Sequence, residues 1–294
     1  MAQADAQGSR PARGGSPLGI VSGSGTLPYT VAEAAIRQGR RVVLLGLSGF
    51  ADPDMIARYP HHWFRVGQFD GICRAAQHEG CDDLVLIGGV QRPSLWQLRP
   101  DFGTLLLLPR IVQVFRGGDA QLLSAVAAAF EERGFRIVGA HEVAPEILMP
   151  AGPLGHRLPG ERDSADIARG LALLRAIGPF DVGQGAIVAD NRILAIEAAE
   201  GTDRMLGRIA NLRRNGKIPA SGGVLVKAPK PGQDHRIDLP SIGPRTIERV
   251  AGAGLAGVAV VAGSTIVAQR GRLGEAADRA RIFVIGVDDA RTKG

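Results

Sequence analysis

Aromatic residues make up only 4% of this 294-residue chain, with two Tyr and two Trp. A base-stacking platform for single-stranded nucleic acid is therefore not available, and no motif that reads DNA or RNA is present. The core has to be aliphatic. Cysteine is equally scarce. Cys73 and Cys81 are too few for a disulfide framework or a cysteine-built zinc site, and we expect reduced thiols in a cytosolic protein. No apolar run approaches ~18 residues, so no segment is expected to span a membrane. Residues 1–17 lack the apolar stretch of a signal peptide and are expected to form a flexible tail.

The six histidines stand in neither a D-x-H nor a G-N-H pattern, which speaks against a two-metal phosphoesterase centre built on histidine. The Walker phosphate loop, the G-x-S-x-G nucleophile motif and a glutamate-dense Nudix-type helix are also missing. What the chain has is 45% apolar residues, 41 glycines and a net charge of +6. That composition describes a globular protein with many tight turns. Its charge suits an anionic small ligand, a membrane headgroup layer or a weak nucleic-acid surface alike. The length favours two domains.

Leu18–Ser22 reads as a strand, 30–39 as a helix and 41–46 as a second strand, with Gly23-Ser-Gly25 between the first two. This is a βαβ start, but Pro28 stands where a dinucleotide fingerprint needs its third glycine, and no acid follows the second strand. The turn at Gly25 can still bind a phosphate or a sugar, or simply connect elements. Helix 69–79, strand 81–89, helix 120–133 and strand 135–143 follow. Residues Thr104–Phe115 form an apolar segment, read either as an ordinary core helix or as one wall of an acyl-chain groove. His141-Glu142 at the end of the last strand is an acid–base pair or an exposed polar edge. The first domain, 18–148, is thus an open, largely parallel, Rossmann-like α/β sheet.

A Pro/Gly-rich link, 149–155, leads to a mixed α/β second domain, 156–289. It opens with helix 163–177, whose Ile167, Leu171, Leu174 and Ile177 share a face. Two apolar runs flank Asp190-Asn191, a hairpin signal. Glu200, Thr202 and Asp203 precede a helix, and Thr202 or Asp203 would cap it. The most chemical stretch is Gly222–Gly243: strand Val224–Val226, breaks at Pro229 and Pro231, then Asp234, His235, Arg236 and Asp238 before a helix that starts at Pro244. Lysines, a helix start and an aspartate suit phosphate chemistry with a divalent ion. By spacing alone, a solvated loop accounts for it equally well.

Six motifs recur in one order: Gly19-Ile-Val-Ser-Gly-Ser-Gly-Thr-Leu-Pro28, Gly139-Ala-His-Glu-Val143, Asp181-Val-Gly-Gln-Gly185, Glu197-Ala-Ala-Glu-Gly-Thr-Asp203, Leu225-Val-Lys-Ala-Pro-Lys-Pro231 and Ile237-Asp-Leu-Pro-Ser-Ile-Gly243. On these the chain, from about Leu18 to Val287, resembles the LpxI family of UDP-2,3-diacylglucosamine pyrophosphatases of lipid A synthesis. The resemblance implies Mg2+-dependent hydrolysis to UMP and 2,3-diacylglucosamine 1-phosphate (lipid X). It also implies a substrate held between two domains, a homodimer, and work at the cytoplasmic side of the inner membrane with transient contact to its surface. The family's essential aspartate matches Asp238.

The chemistry then distributes as follows. The resemblance implies that Asp238 is a catalytic residue and Mg2+ ligand. Lys227, as a second catalytic residue, and Lys230, in substrate binding, are expected to neutralise phosphate charge. Glu200 and Asp203 are candidates for further metal ligation, and Thr202 for substrate or water positioning. Gln184 is expected to bind sugar or phosphate through its amide, and Gly25 to bind substrate through the first glycine turn. Two rival readings rest on residues alone. One is a nucleotide-sugar or dinucleotide oxidoreductase, from the G-x-G turn. The other is a non-catalytic membrane-surface module, from the positive charge and the apolar segment. Nucleic acid is not an expected partner.

Overall fold

The computed structural model describes residues 15–90 and 119–288. The expected apolar segment at 104–115 and the tail up to residue 14 lie outside them. The described residues form two compact units, one comprising 15–90 with 130–137 and the other 119–129 with 138–288. By packing, the chain passes from one to the other between Ala129 and Phe130 and again between Ile137 and Val138. Each unit is α/β.

In the first unit, strands β1 (Leu18–Ser22), β2 (Val42–Leu47), β3 (His61–Phe64), β4 (Asp83–Ile87) and β5 (Arg136–Ile137) form a parallel sheet in the order β3-β2-β1-β4-β5. Its central strands are continuous apolar runs, as a sheet covered on both faces requires. Helices α1 (Leu27–Arg37), α2 (Pro53–Ile56) and α3 (Phe69–His78) connect them, and α4 (Asp119–Glu132), of which only 130–132 fall in this unit, precedes β5. Strand β3 and the single turn α2 were not foreseen. His61-His-Trp-Phe64 is only half-buried and shows no apolar alternation, so its strand character comes from pairing with β2. At the far end of the sheet, buried Asp83 accepts hydrogen bonds from Arg40 (2.6 Å) and Arg136 (2.7 Å twice). Those bonds hold its carboxyl below the usual range although burial works against them.

The strand expected over 135–143 is interrupted. Only Arg136–Ile137 pairs, and Ala140–Val143 is a helical turn, α5. The Gly139 N–H donates to the Glu142 side chain at 2.7 Å, so local capping outcompetes extension of the strand.

The second unit carries a six-stranded mixed sheet, ordered β6-β13-β11-β9-β7-β8: β6 (Gly152–Pro153), β13 (Phe283–Val287), β11 (Gly257–Val261), β9 (Val224–Lys227), β7 (Gly185–Ala189) and β8 (Arg192–Ile196). Strands β13, β11 and β9 are parallel to one another, and β6, β7 and β8 each run antiparallel to a neighbour. The expected link at 149–155 thus supplies an edge strand, and Met149 is fully buried in the core of this unit. Strand β9 alternates as period 2 demands. Val224 and Val226 pack against α6 (Glu161–Ile177) through Ile167, Leu171 and Leu174, while Leu225 faces Met205, Ile209, Ile247 and Val250. Those four belong to α7 (Gly201–Arg214) and α8 (Pro244–Gly252), and α9 (Arg270–Ala280) adds Leu273 and Ala277.

The hairpin expected at Asp190-Asn191 is present. Both residues adopt positive φ (50° and 61°), and buried Asp166 on α6 accepts both of their backbone N–H groups, at 3.2 and 2.6 Å. A short parallel pair, β10 (Ser241–Ile242) with β12 (Ile266–Val267), ties the end of the charged loop down just before α8.

Candidate active site

Strand β9 ends at Lys227, whose side chain is buried (7% exposed). Its ammonium donates to Thr202 Oγ1 at 3.0 Å, and the Thr202 hydroxyl donates to Glu197 Oε1 at 2.8 Å. Burial pushes the Lys227 pKa down, and the negative charges of Glu197 and Asp203 oppose that shift. Thr202 and Asp203 occupy the first turn of α7, with Glu200 at the N-cap position and no side-chain cap. The capping role expected of them is therefore not taken. Thr202 serves Glu197 and Lys227 instead, and Asp203 pairs with Arg245 at 2.9 Å. Glu200 pairs with Arg208 at 3.0 Å.

Beyond β9 the loop carries Lys230, whose ammonium lies 2.5 Å from Asp181 Oδ1. Asp181 sits in the left-handed region (φ 53°) just ahead of β7. Gln184 anchors the same corner through its backbone, its carbonyl accepting the Ala228 N–H at 3.0 Å. Asp234 is clasped by Arg236, whose hydrogen bonds, the leading cause, and charge lower its pKa, helped by the charge of His235, while burial works against them. Half-buried Asp238 follows. Its backbone N–H donates to the Asp234 carbonyl at 3.0 Å, and among the described residues its carboxylate has no hydrogen bond or ion pair.

His141 of α5 carries a buried Nδ1 without a partner among the described residues. Burial lowers its pKa, Glu142 opposes this, and the charge of His235 in the loop adds to it. Glu142, exposed and committed to the Gly139 N–H, acts as a cap and not as a partner base.

Gly25 lies in the first unit, exposed and at φ 95°, where a turn needs glycine. Next to it the loops leaving β1 and β4 join. Ser24 and Gly89 exchange backbone hydrogen bonds at 2.9 and 3.0 Å, and a Cβ on Gly23 would sit 2.7 Å from the Gly88 backbone. This is the switch point of the parallel sheet, where open α/β folds bind ligands. Pro28 stands within the first turn of α1, in place of the fingerprint glycine.

Among the described residues, no three His, Cys, Asp or Glu side chains form a metal-holding group. Mg2+ needs only one or two protein carboxylates when phosphate oxygens and water complete its shell, and the free carboxylate of Asp238 fits that demand. Glu200 and Asp203 would each have to exchange an arginine for the ion. Two participants were missed in the sequence. Asp181 and Glu197 stand in the quoted motifs but received no role, because their partners, Lys230 and Thr202–Lys227, reach them only through the sheet.

The fold and site define a two-domain α/β protein with a doubly wound parallel sheet in its first half and a polar, phosphate-suited cluster in its second. The family model described as the LpxI N-terminal domain matches residues 17–147, and that of the LpxI C-terminal domain matches 150–285. The chain belongs to the LpxI family. It is 44% identical over 273 residues to the UDP-2,3-diacylglucosamine pyrophosphatase LpxI of Caulobacter vibrioides, covering 92% of this chain and 97% of that protein. A solved structure, "Crystal structure of gox2253", is 13% identical with a TM-score of 0.32, covering 86% of this chain and 69% of its own, and carries no argument.

Proposed function

We propose that this protein hydrolyses the pyrophosphate bond of UDP-2,3-diacylglucosamine to UMP and 2,3-diacylglucosamine 1-phosphate in lipid A synthesis, with Mg2+ as cofactor. Supporting this are the family and the 44% identity to a protein bearing that activity in its name. The observation that carries the chemistry is the state of Asp238. Asp181, Glu200, Asp203 and Asp234 are each neutralised by a cation, while Asp238 alone of this group is free to take a new partner.

Asp238 would hold Mg2+, which supplies charge neutralisation at the phosphate oxygens. Asp238 also accepts a hydrogen bond from the attacking water and draws off its proton as the P–O bond breaks. Lys227 stabilises the charge that develops on the phosphates, from a buried position where an ammonium acts more strongly than in water. Lys230, tied to Asp181, orients the loop and adds positive charge. Thr202 and Gln184 position substrate. The proposed enzyme works as a homodimer at the cytoplasmic face of the inner membrane. No helix among the described residues is long and apolar enough to cross it.

The test is Asp238→Asn assayed for UMP release. Since no bond of the carboxylate is lost, stability should stay within about 0.5 kcal/mol of wild type. Turnover should fall by roughly a thousandfold or more, as for loss of a nucleophile-activating group. Turnover within tenfold of wild type would remove Asp238 from the reaction.

A further inference from the structure

Lys227 on β9, Gly185 on β7 and Glu197, one residue past the end of β8, lie in one row. Gly185 is the register partner of Lys227 on β9, and the Glu197 N–H donates to the Gly185 carbonyl at 2.8 Å on the other side. Residues in one row project to the same face of a sheet, so the middle position decides whether the outer two can communicate. Here it has no side chain. A Cβ on Gly185 would stand 2.5 Å from Glu197 Oε2. The space above Gly185 is filled by the carboxylate of Glu197, which meets Lys227 through the hydroxyl of Thr202.

The direction of this chain is dictated by chemistry. A carboxylate can only accept, so the Thr202 proton is committed to Glu197. Thr202 can then only accept from Lys227, which must be the donor. Lys227 uses one of its three N–H bonds in this way and keeps two. Glu197 Oε2 is buried and has no hydrogen-bond partner among the described residues. An unpartnered carboxylate oxygen out of water is costly, and the closest compensation is the charge of Lys227 itself. The charged groups acting on Lys227 are Glu197, at the end of β8, and Asp203, in the first turn of α7. Asp203 is exposed and already paired with Arg245, which leaves Glu197 as the inner counter-charge.

We propose that Glu197 is a positioning residue for the reaction: through Thr202 it fixes Lys227 as a hydrogen-bond donor and keeps it charged, with Gly185 holding the necessary gap open. The proposal builds on the pyrophosphatase reading for what Lys227 does, but not for the Glu197–Lys227 link itself. A purely architectural Glu197, tying α7 to the hairpin, would make the same bonds and leave Lys227 indifferent to its charge.

The two are separated by Glu197→Gln, Glu197→Asp and Thr202→Val. The chain has only four lysines, Lys217, Lys227, Lys230 and Lys293, so Lys227 can be followed directly by NMR of 13C-labelled lysine. In Glu197→Gln the midpoint of Lys227 deprotonation should fall by about one pH unit or more, since it loses a nearby opposite charge. The alkaline limb of kcat for UMP release should move with it while KM changes less. Glu197→Asp should recover part of both shifts, and Thr202→Val should reproduce the loss through the other end of the chain. A Lys227 midpoint unchanged in both Glu197→Gln and Thr202→Val overturns the proposal. If the wild-type protein releases no UMP, the reaction proposed above fails, and the NMR titration still decides the link.

Discussion

Replacing Lys227 by Met separates the site's contribution to stability from its contribution to chemistry. Met nearly matches the length of the lysine stem but carries no charge. The variant loses one charged hydrogen bond, from Nζ to Thr202 at 3.0 Å, worth about 1.5–3 kcal/mol. It also leaves Glu197 without its inner counter-charge, which raises the cost. Against this, the Met side chain keeps the apolar burial of the lysine stem, and an ammonium no longer has to be desolvated. The terms oppose one another, and we expect a net loss of about 0–3 kcal/mol in urea unfolding.

Catalysis has no such compensation. Removing one charged donor from a preorganised phosphate site costs about a hundred- to a thousandfold in turnover. The sign of the pH effect gives a second check. Burial depresses the folded-state pKa of Lys227 below its ordinary 10.5, so between the two values the unfolded chain binds more protons. Stability therefore gains with rising pH across that window, and the gain should vanish in Lys227→Met. Turnover within tenfold of wild type, measured as UMP release from a fully folded sample, would show that Lys227 is only a packed residue.

Other outcomes follow from the same geometry. Asp83→Asn removes the partner of Arg40 and Arg136 and should destabilise the first unit by about 3 kcal/mol near neutral pH. Because the native pKa of Asp83 is lowered, its contribution is fully present above about pH 3.8 and lost as pH falls through the native value, so urea midpoints of variant and wild type should converge in acid. Gly185→Ala places a methyl 2.5 Å from Glu197 Oε2 and should cost about 1–3 kcal/mol while lowering UMP release; an unchanged midpoint and rate would show the gap to be incidental. Cys81 is buried and its thiol is pushed up to about 11, so a thiol reagent at pH 8 should label it only as the protein unfolds, with the labelling rate following the denaturant curve.

The βαβ entry at Leu18–Leu47, the hairpin at Asp190-Asn191 and helix 161–177 could be read in advance because each rests on local rules. A continuous apolar run suits a strand buried on both faces, an Asp-Asn pair tolerates positive φ, and a 3.6-residue stripe makes one buried helix face. The errors have a common cause. His61–Phe64 becomes a strand because β2 offers it an edge, and 135–143 breaks because Glu142 can reach the Gly139 N–H. Thr202 was legible as a cap, yet its hydroxyl goes to Glu197 because the sheet brings β8 and β9 to either side of Gly185.

Residue type and order established the chemistry that can occur here: an aliphatic α/β protein, a loop of lysines and aspartates opening onto a helix, and the motif in which Asp238 stands. Those properties are local, set by side-chain volume, backbone preference and charge. Which charges are already satisfied was decided by the folded structure, within α7 for Glu200 and Arg208 and between elements for the others. Asp181 takes Lys230, Arg208 takes Glu200, Arg245 takes Asp203, and Asp238 is left unpaired among the described residues. Pairing between distant residues depends on which elements pack side by side, and Coulomb energies fall off over a few ångströms in a screened medium. Residues far apart in the chain acquire their roles only when the sheet sets those distances.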